Sequence, residues 1–225
     1  MTSEDAPRSS LPRWLAIVLA CLAIGGLAFA VGRFSTFGSV PATPGTASAD
    51  AGFARDMQVH HAQAIAMAME IYRKTEDDEL RVLSYDIATG QAGQRGEMYD
   101  WLVQWGLPQS GGPMMAWMSG APGGHEHGGG GSALSDDEAR AAMGMATDAE
   151  LDALAAATGS EADCLFLELM IRHHEGAIPM AQAAIDLGSV ERVRQVAEAM
   201  RAGQTAEIDA MTAMQARLGC TASLQ

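Results

Sequence analysis

The chain of 225 residues carries 28 acidic against 14 basic side chains, a formal charge of -14, which excludes a phosphate-binding surface built from clustered Lys and Arg, so no nucleic-acid partner is expected. Hydrophobic residues make up 48% of the chain and aromatics only 5%. Ala, Leu and Met carry that hydrophobic share, and such strong helix formers predict an all-α fold.

From Trp14 to Gly32 no residue is charged, and this run is close to the roughly 20 residues that cross a bilayer as a helix. Arg8 and Arg13 precede it, so the positive-inside bias keeps the N-terminal tip cytoplasmic and exports the chain beyond Arg33. Residues 1–33 therefore read as a cytoplasmic tip with a membrane anchor through 14–32, or as a signal segment cleaved near Ala28-Phe29-Ala30. The first reading gives a single-pass membrane protein with an ectodomain outside the cytoplasm, the second a secreted one. Val18-Leu19-Ala20-Cys21 is a poor lipidation signal.

Residues 34–49 form a Gly, Pro, Ser and Thr tether without apolar periodicity. A helical domain is expected over 50–220. Its first hairpin spans 51–106, with Asp50 as N-cap, one helix to about Lys74, and a second from about Glu76, started by Thr75 and ended by Gly106 and Pro108. Gly90, Gly93 and Gly96 fall inside that second helix; each costs about 1 kcal/mol against Ala, which predicts either close approach of a neighbouring helix or a weakened helix. Residues 109–132 are a Gly, Met and His-rich insert read as a mobile loop. Ser135 with Glu138 and Thr147 with Glu150 are capping boxes that predict short helices within 135–157. A second hairpin over 160–219 opens at Ser160, breaks at Gly188 and resumes behind a Ser189 cap. Two tandem hairpins predict a four-helix bundle.

Cys164 and Cys220 are the only cysteines beyond the apolar run, and outside the cytoplasm such a pair oxidises. Antiparallel neighbours bring their two helix ends together. Their alternative use is as thiolate metal ligands.

The phrase FARDMQVHHAQAIAMA from Phe53 recurs as FLELMIRHHEGAIPMA from Phe166, an offset of 113 residues that also relates Gly90-Gln91 to Gly203-Gln204 and Met98 to Met211. The repeat is thus a whole structural unit. At about 100° per residue, Met57, His60, His61, Ala64 and Met67 share one apolar arc, as do Met170, His173, His174, Ala177 and Met180. Pro179 is expected to kink the third long helix near the second site. Buried imidazoles need partners, and a metal supplies them. Di-iron bundles use Glu-x-x-His, whereas here the slot reads Met57-x-x-His60 and Met170-x-x-His173. A thioether in place of a carboxylate moves the preference from iron to copper as Cu(I). Met114, Met115, Met118, His125 and His127 in the insert form an auxiliary set that could also capture copper.

No residue is assigned a catalytic role. The rival enzymatic reading, a metal-dependent oxidoreductase in the same bundle, has Asp56 and Glu175 as its nearest carboxylates. The remaining reading is a structural cell-surface module, in which Met fills core gaps and the histidines bond to carbonyls or to Gln91 and Gln204.

The doubled MxxHHxxAIxMA phrase, with Gln91, Gln94 and Met98 matched by Gln204, Glu207 and Met211, resembles the domain-of-unknown-function family three hundred and five over about 50–218, the insert excepted. That resemblance implies a ferritin-like, exported bundle with CopM-like copper-binding members. It further implies copper homeostasis or resistance, with ligands at Met57, His60, His61, Met67, Met170, His173, His174 and Met180. Handing copper on implies a copper-handling partner or a second copy of the chain.

Overall fold

The computed structural model describes residues 12–35, 43–119 and 134–220. The chain divides into two compact units, Met1–Thr43 and Pro44–Gln225. The first holds helix α1 (Arg13–Ser35), the one helix among the described residues long and apolar enough to cross a membrane. Most of its large side chains from Trp14 to Val31 are exposed, and a helix apolar all round is one that a protein core or a membrane buries.

In the second unit every regular element among the described residues is helical: α2 (Ala49–Lys74), α3 (Asp78–Gln104), a 3-10 turn (Ala116–Met118), α4 (Asp136–Ala142), α5 (Asp148–Ala156), α6 (Gly159–Leu187) and α7 (Glu191–Leu218). Helix α2 packs on α3 and α6 on α7, and the two hairpins join through α2 against α6. The His-bearing helices are therefore the inner pair of a four-helix bundle. The sequence repeat explains this: each copy places its apolar arc on the first helix of its hairpin, and neither arc can be buried without the other.

Local signals set the helix ends. Ser135 and Thr147 form complete capping boxes with Glu138 and Glu150. Four expected caps are replaced. Ser48, not Asp50, caps α2 by accepting from Ala51 N at 3.2 Å. Asp50 is buried and accepts from Ser189 N, Ser189 Oγ and Val190 N at 2.8–3.1 Å, so it caps the start of α7 across the bundle. Asp77, rather than Thr75, caps α3 through Leu80 N, while Thr75 closes α2. Ser160 lies inside α6, whose N-cap is Thr158, and Val190 rather than Ser189 stands at the N-cap of α7, because the Ser189 hydroxyl donates to Asp50.

Helix α3 runs unbroken through Gly90, Gly93 and Gly96, and a Cβ at any of the three would meet nothing within 4 Å. Close helix approach is therefore not their reason. Helix α6 likewise continues through Pro179.

A disulfide joins Cys164 in the first turns of α6 to Cys220 just beyond α7, with Cα atoms 5.4 Å apart. Cys21 is a free, exposed thiol. The core falls into two clusters. One gathers Met57, Met98, Met118, Met143, Met180 and Met200. The other includes Met67, Ile71, Leu80, Phe166, Met170 and Met211.

Candidate metal centre

His60 and His61 on α2 and His173 and His174 on α6 are all fully buried. Their rings form a row in the order His61, His60, His173, His174, with centroid separations of 6.3, 3.6 and 6.2 Å. The inner two belong to different repeats and lie face to face, tilted by 31°. Adjacent histidines on a helix diverge by about 100°. One of each pair therefore points at the partner helix and the other back at its own hairpin.

The hydrogen bonds follow that divergence. His61 Nε2 meets Gln94 Oε1 on α3 at 2.7 Å, and His174 Nε2 meets Glu207 Oε2 on α7 at 2.6 Å, one repeat-related pair. The inner pair is not symmetric. His60 Nε2 donates to the carbonyl of Met143 at 3.0 Å, whereas His173 Nε2 donates to the carbonyl of His60 at 3.1 Å. All four acceptors are oxygens, so all four rings carry their proton on Nε2. Each Nδ1 is then a buried lone pair, and none has a hydrogen-bond partner. This is the arrangement of a ligating imidazole, whose other nitrogen donates to a carbonyl or carboxylate that fixes the ring.

Burial keeps His60, His61 and His173 neutral. It pushes His60 down to about 3, helped by repulsion from His61. It pushes His61 down to about 4, and His173 well below the usual imidazole range, with His60 the next cause. Neutral imidazole is the ligating form.

The methionines regroup across the repeats. Met57 and Met180 share one core cluster and Met67 and Met170 the other, because α2 and α6 run antiparallel. Among the described residues no three His, Cys, Asp or Glu side chains converge in a metal-binding arrangement. Met57, Met67, Met170 and Met180 are the buried sulfur donors on the same two helices, and imidazole with thioether is a donor set that suits Cu(I).

Three features of the site were not visible in the sequence. The segment Met143–Ala146 between α4 and α5 lies over the inner histidines, and Gln63 pins it by pairing with both Ala146 N and Ala146 O at 2.7 and 2.9 Å. The repeat mate of Gln63 is Gly176. A Cβ on Gly176 would overlap the Met143 carbonyl, and one on Gly144, at φ +69°, would overlap that of Arg172. The segment can deliver its carbonyl to His60 only because both positions are glycine. Gln91 and Gln204, expected as histidine partners in a purely structural module, do not bond to them; Gln94 and Glu207 do.

Asp56 bonds to the start of the insert and not to a histidine. Burial raises its carboxyl, while Met115 N and Trp117 Nε1 donate to it at 2.8 and 2.9 Å and so tie the start of the insert to α2. Met118 is buried in the core and Met114 and Met115 pack against it, so this part of the insert is docked, not a free Met tether. His125 and His127 lie outside the described residues.

Fold and site together define an all-α bundle of two repeated hairpins with a buried His and Met face between them. The chain belongs to the family described as domain of unknown function DUF305, which matches residues 50–215. A DUF305 protein from Streptomyces coelicolor is 37% identical, with 80% of this chain and 99% of that one covered and a TM-score of 0.69. A DUF305 fragment from Deinococcus radiodurans is 30% identical over 75% of this chain and 96% of its own, with a TM-score of 0.60. CopM in its Cu(I)-bound form is 27% identical over 75% and 96%, with a TM-score of 0.54, and CopM structures with Ag and with Cu(II) match similarly. No curated protein matches the chain.

Proposed function

We propose that this protein binds copper outside the cytoplasm and sequesters or hands over Cu(I) through Met57, His60, His61, Met67, Met170, His173, His174 and Met180, in support of copper homeostasis or resistance. The observation that carries the reading is the set of four unpartnered Nδ1 lone pairs in a methionine-rich interior. A buried acceptor without a donor costs about 1–3 kcal/mol, and a soft cation would satisfy these lone pairs and the thioethers together. That CopM holds Cu(I) and Ag supports the same chemistry here. Helix α1 accounts for export, as a single-pass anchor or as a leader that is removed.

Titration of the full chain in detergent with Cu(I) against a competing chelator tests the proposal. Wild-type protein should outcompete the chelator, and a variant with the four histidines changed to Ala should not. His60→Leu with His173→Leu, which keeps the interior filled, should also lose affinity if the quadruple variant fails to fold. Equal affinity of wild type and a folded variant rules the proposal out.

A further inference from the structure

Helices α3 and α7 face one another across a cavity of about 50 Å³, lined by Gly90, Gln91 and Gln94 from one and Met200, Gly203, Gln204 and Glu207 from the other. Met200 apart, these residues are repeat mates 113 positions apart, so each hairpin contributes the same Gly, Gln and Gln/Glu positions to the wall. Its volume exceeds what a water molecule needs.

Three observations give it a role. Gln91 and Gln204 are only 4% and 5% exposed, yet neither the oxygen nor the nitrogen of either amide has a partner. Two amides buried in this way are stable only when something outside the protein bonds to them. Second, Gly90 and Gly203 are exposed, have ordinary helical φ and would meet nothing within 4 Å if given a Cβ. Each is a poorer helix former than Ala, and in return it leaves the mouth unobstructed. Third, Gln94 and Glu207 are the groups that bond to Nε2 of His61 and His174. The cavity wall is therefore the polar layer directly behind the outer two rings, which are themselves fully buried. The Glu207 side chain is 31% exposed and so touches both solvent and His174.

We propose that this cavity is the doorway through which a metal cation reaches and leaves the buried histidine row. Glu207 draws the cation in, and the amide oxygens of Gln91 and Gln204 take over part of its water shell. Displacement of the Glu207 carboxylate from His174 then admits it to the imidazoles. The first repeat has neutral Gln94 where the second has Glu207, so capture runs through the α7 side. The inference rests on the metal-binding reading of the histidine row.

Stopped-flow uptake and release of Ag(I), a cation with the softness of Cu(I) and no redox chemistry here, tests it on the full chain in detergent. The double variant Gly90→Leu/Gly203→Leu fills the mouth and favours helix. It should slow both association and dissociation at least about tenfold while the equilibrium constant stays within about twofold, because only the path has changed. Glu207→Gln, which copies the Gln94 side, should slow association by roughly tenfold through loss of the steering charge. Gly93→Leu, in equally open space but outside the cavity lining, should match wild type. Unchanged rates in the double variant overturn the doorway, as does equal slowing by Gly93→Leu. Absence of Ag(I) binding by wild-type protein overturns instead the metal-binding reading on which it rests.

Discussion

The imidazoles of His60 and His173 lie face to face with centroids 3.6 Å apart, and each gives its Nε2–H to a backbone carbonyl while its Nδ1 has no partner. Two neutral rings tolerate this contact; two imidazolium ions would repel strongly in a low-dielectric interior.

Stability of the metal-free protein should accordingly fall in acid. His60, His61 and His173 are depressed in the folded state, the first two to about 3 and about 4, so the unfolded chain binds more protons below its own value of about 6.5. Their contribution is fully present above about pH 6.5 and is lost as pH falls towards 4, by up to about 1.4 kcal/mol per pH unit for each ring. Asp56 and Asp163, whose carboxyls burial raises, oppose this only near the acid end. Melting temperatures at pH 7, 5.5 and 4.5 check the prediction; a flat profile over that span contradicts neutral burial of the rings.

Gly176→Ala should disturb the site without touching a ligand. Its Cβ would overlap the Met143 carbonyl, and overpacking of this kind costs about 1–3 kcal/mol. The His60 Nε2–H should lose its acceptor, which an imidazole NMR signal reports. A variant that melts with wild type and keeps that signal would show that the close approach does not hold the ring.

Asp56→Ala should release the docked start of the insert. It leaves Met115 N and Trp117 Nε1 without their acceptor, at a cost of about 1–3 kcal/mol. Proteolysis should then become faster near Met118, while Cu(I) affinity at the histidine row stays at the wild-type level. Loss of that affinity would instead place Asp56 in the metal site.

Reduction of Cys164–Cys220, which spans 56 residues of sequence, should lower stability by at most about 4 kcal/mol on the chain-entropy model. Thermal melts with and without reductant measure this. No shift on complete reduction would contradict a stabilising role for the bridge.

The repeat made the bundle legible, because 3.6-residue periodicity and an offset of 113 constrain which faces meet. The histidine row was partly legible: helical spacing placed each His pair on its apolar arc, but could not show that His60 meets His173, a contact between residues 113 positions apart. Nor could it show that Met57 groups with Met180 rather than with Met67, a consequence of the antiparallel crossing of α2 and α6. The Met143 carbonyl carries no side-chain signal at all. Its only trace in the sequence is a departure from the repeat, Gln63 against Gly176, where one copy pins the covering segment and the other makes room for it. Asp50 misled because an acidic residue at the start of a helix fits two caps, and only the fold shows that it serves α7.

X-ray absorption at the copper edge of protein loaded with Cu(I) tests most directly whether the methionines ligate. The predicted result is a mixed shell of imidazole nitrogen and thioether sulfur, with the sulfur contribution lost when Met57, Met67, Met170 and Met180 are changed together to Leu. A shell of nitrogen and oxygen only, unchanged in that variant, would contradict copper binding by thioethers, and would leave the four methionines as core.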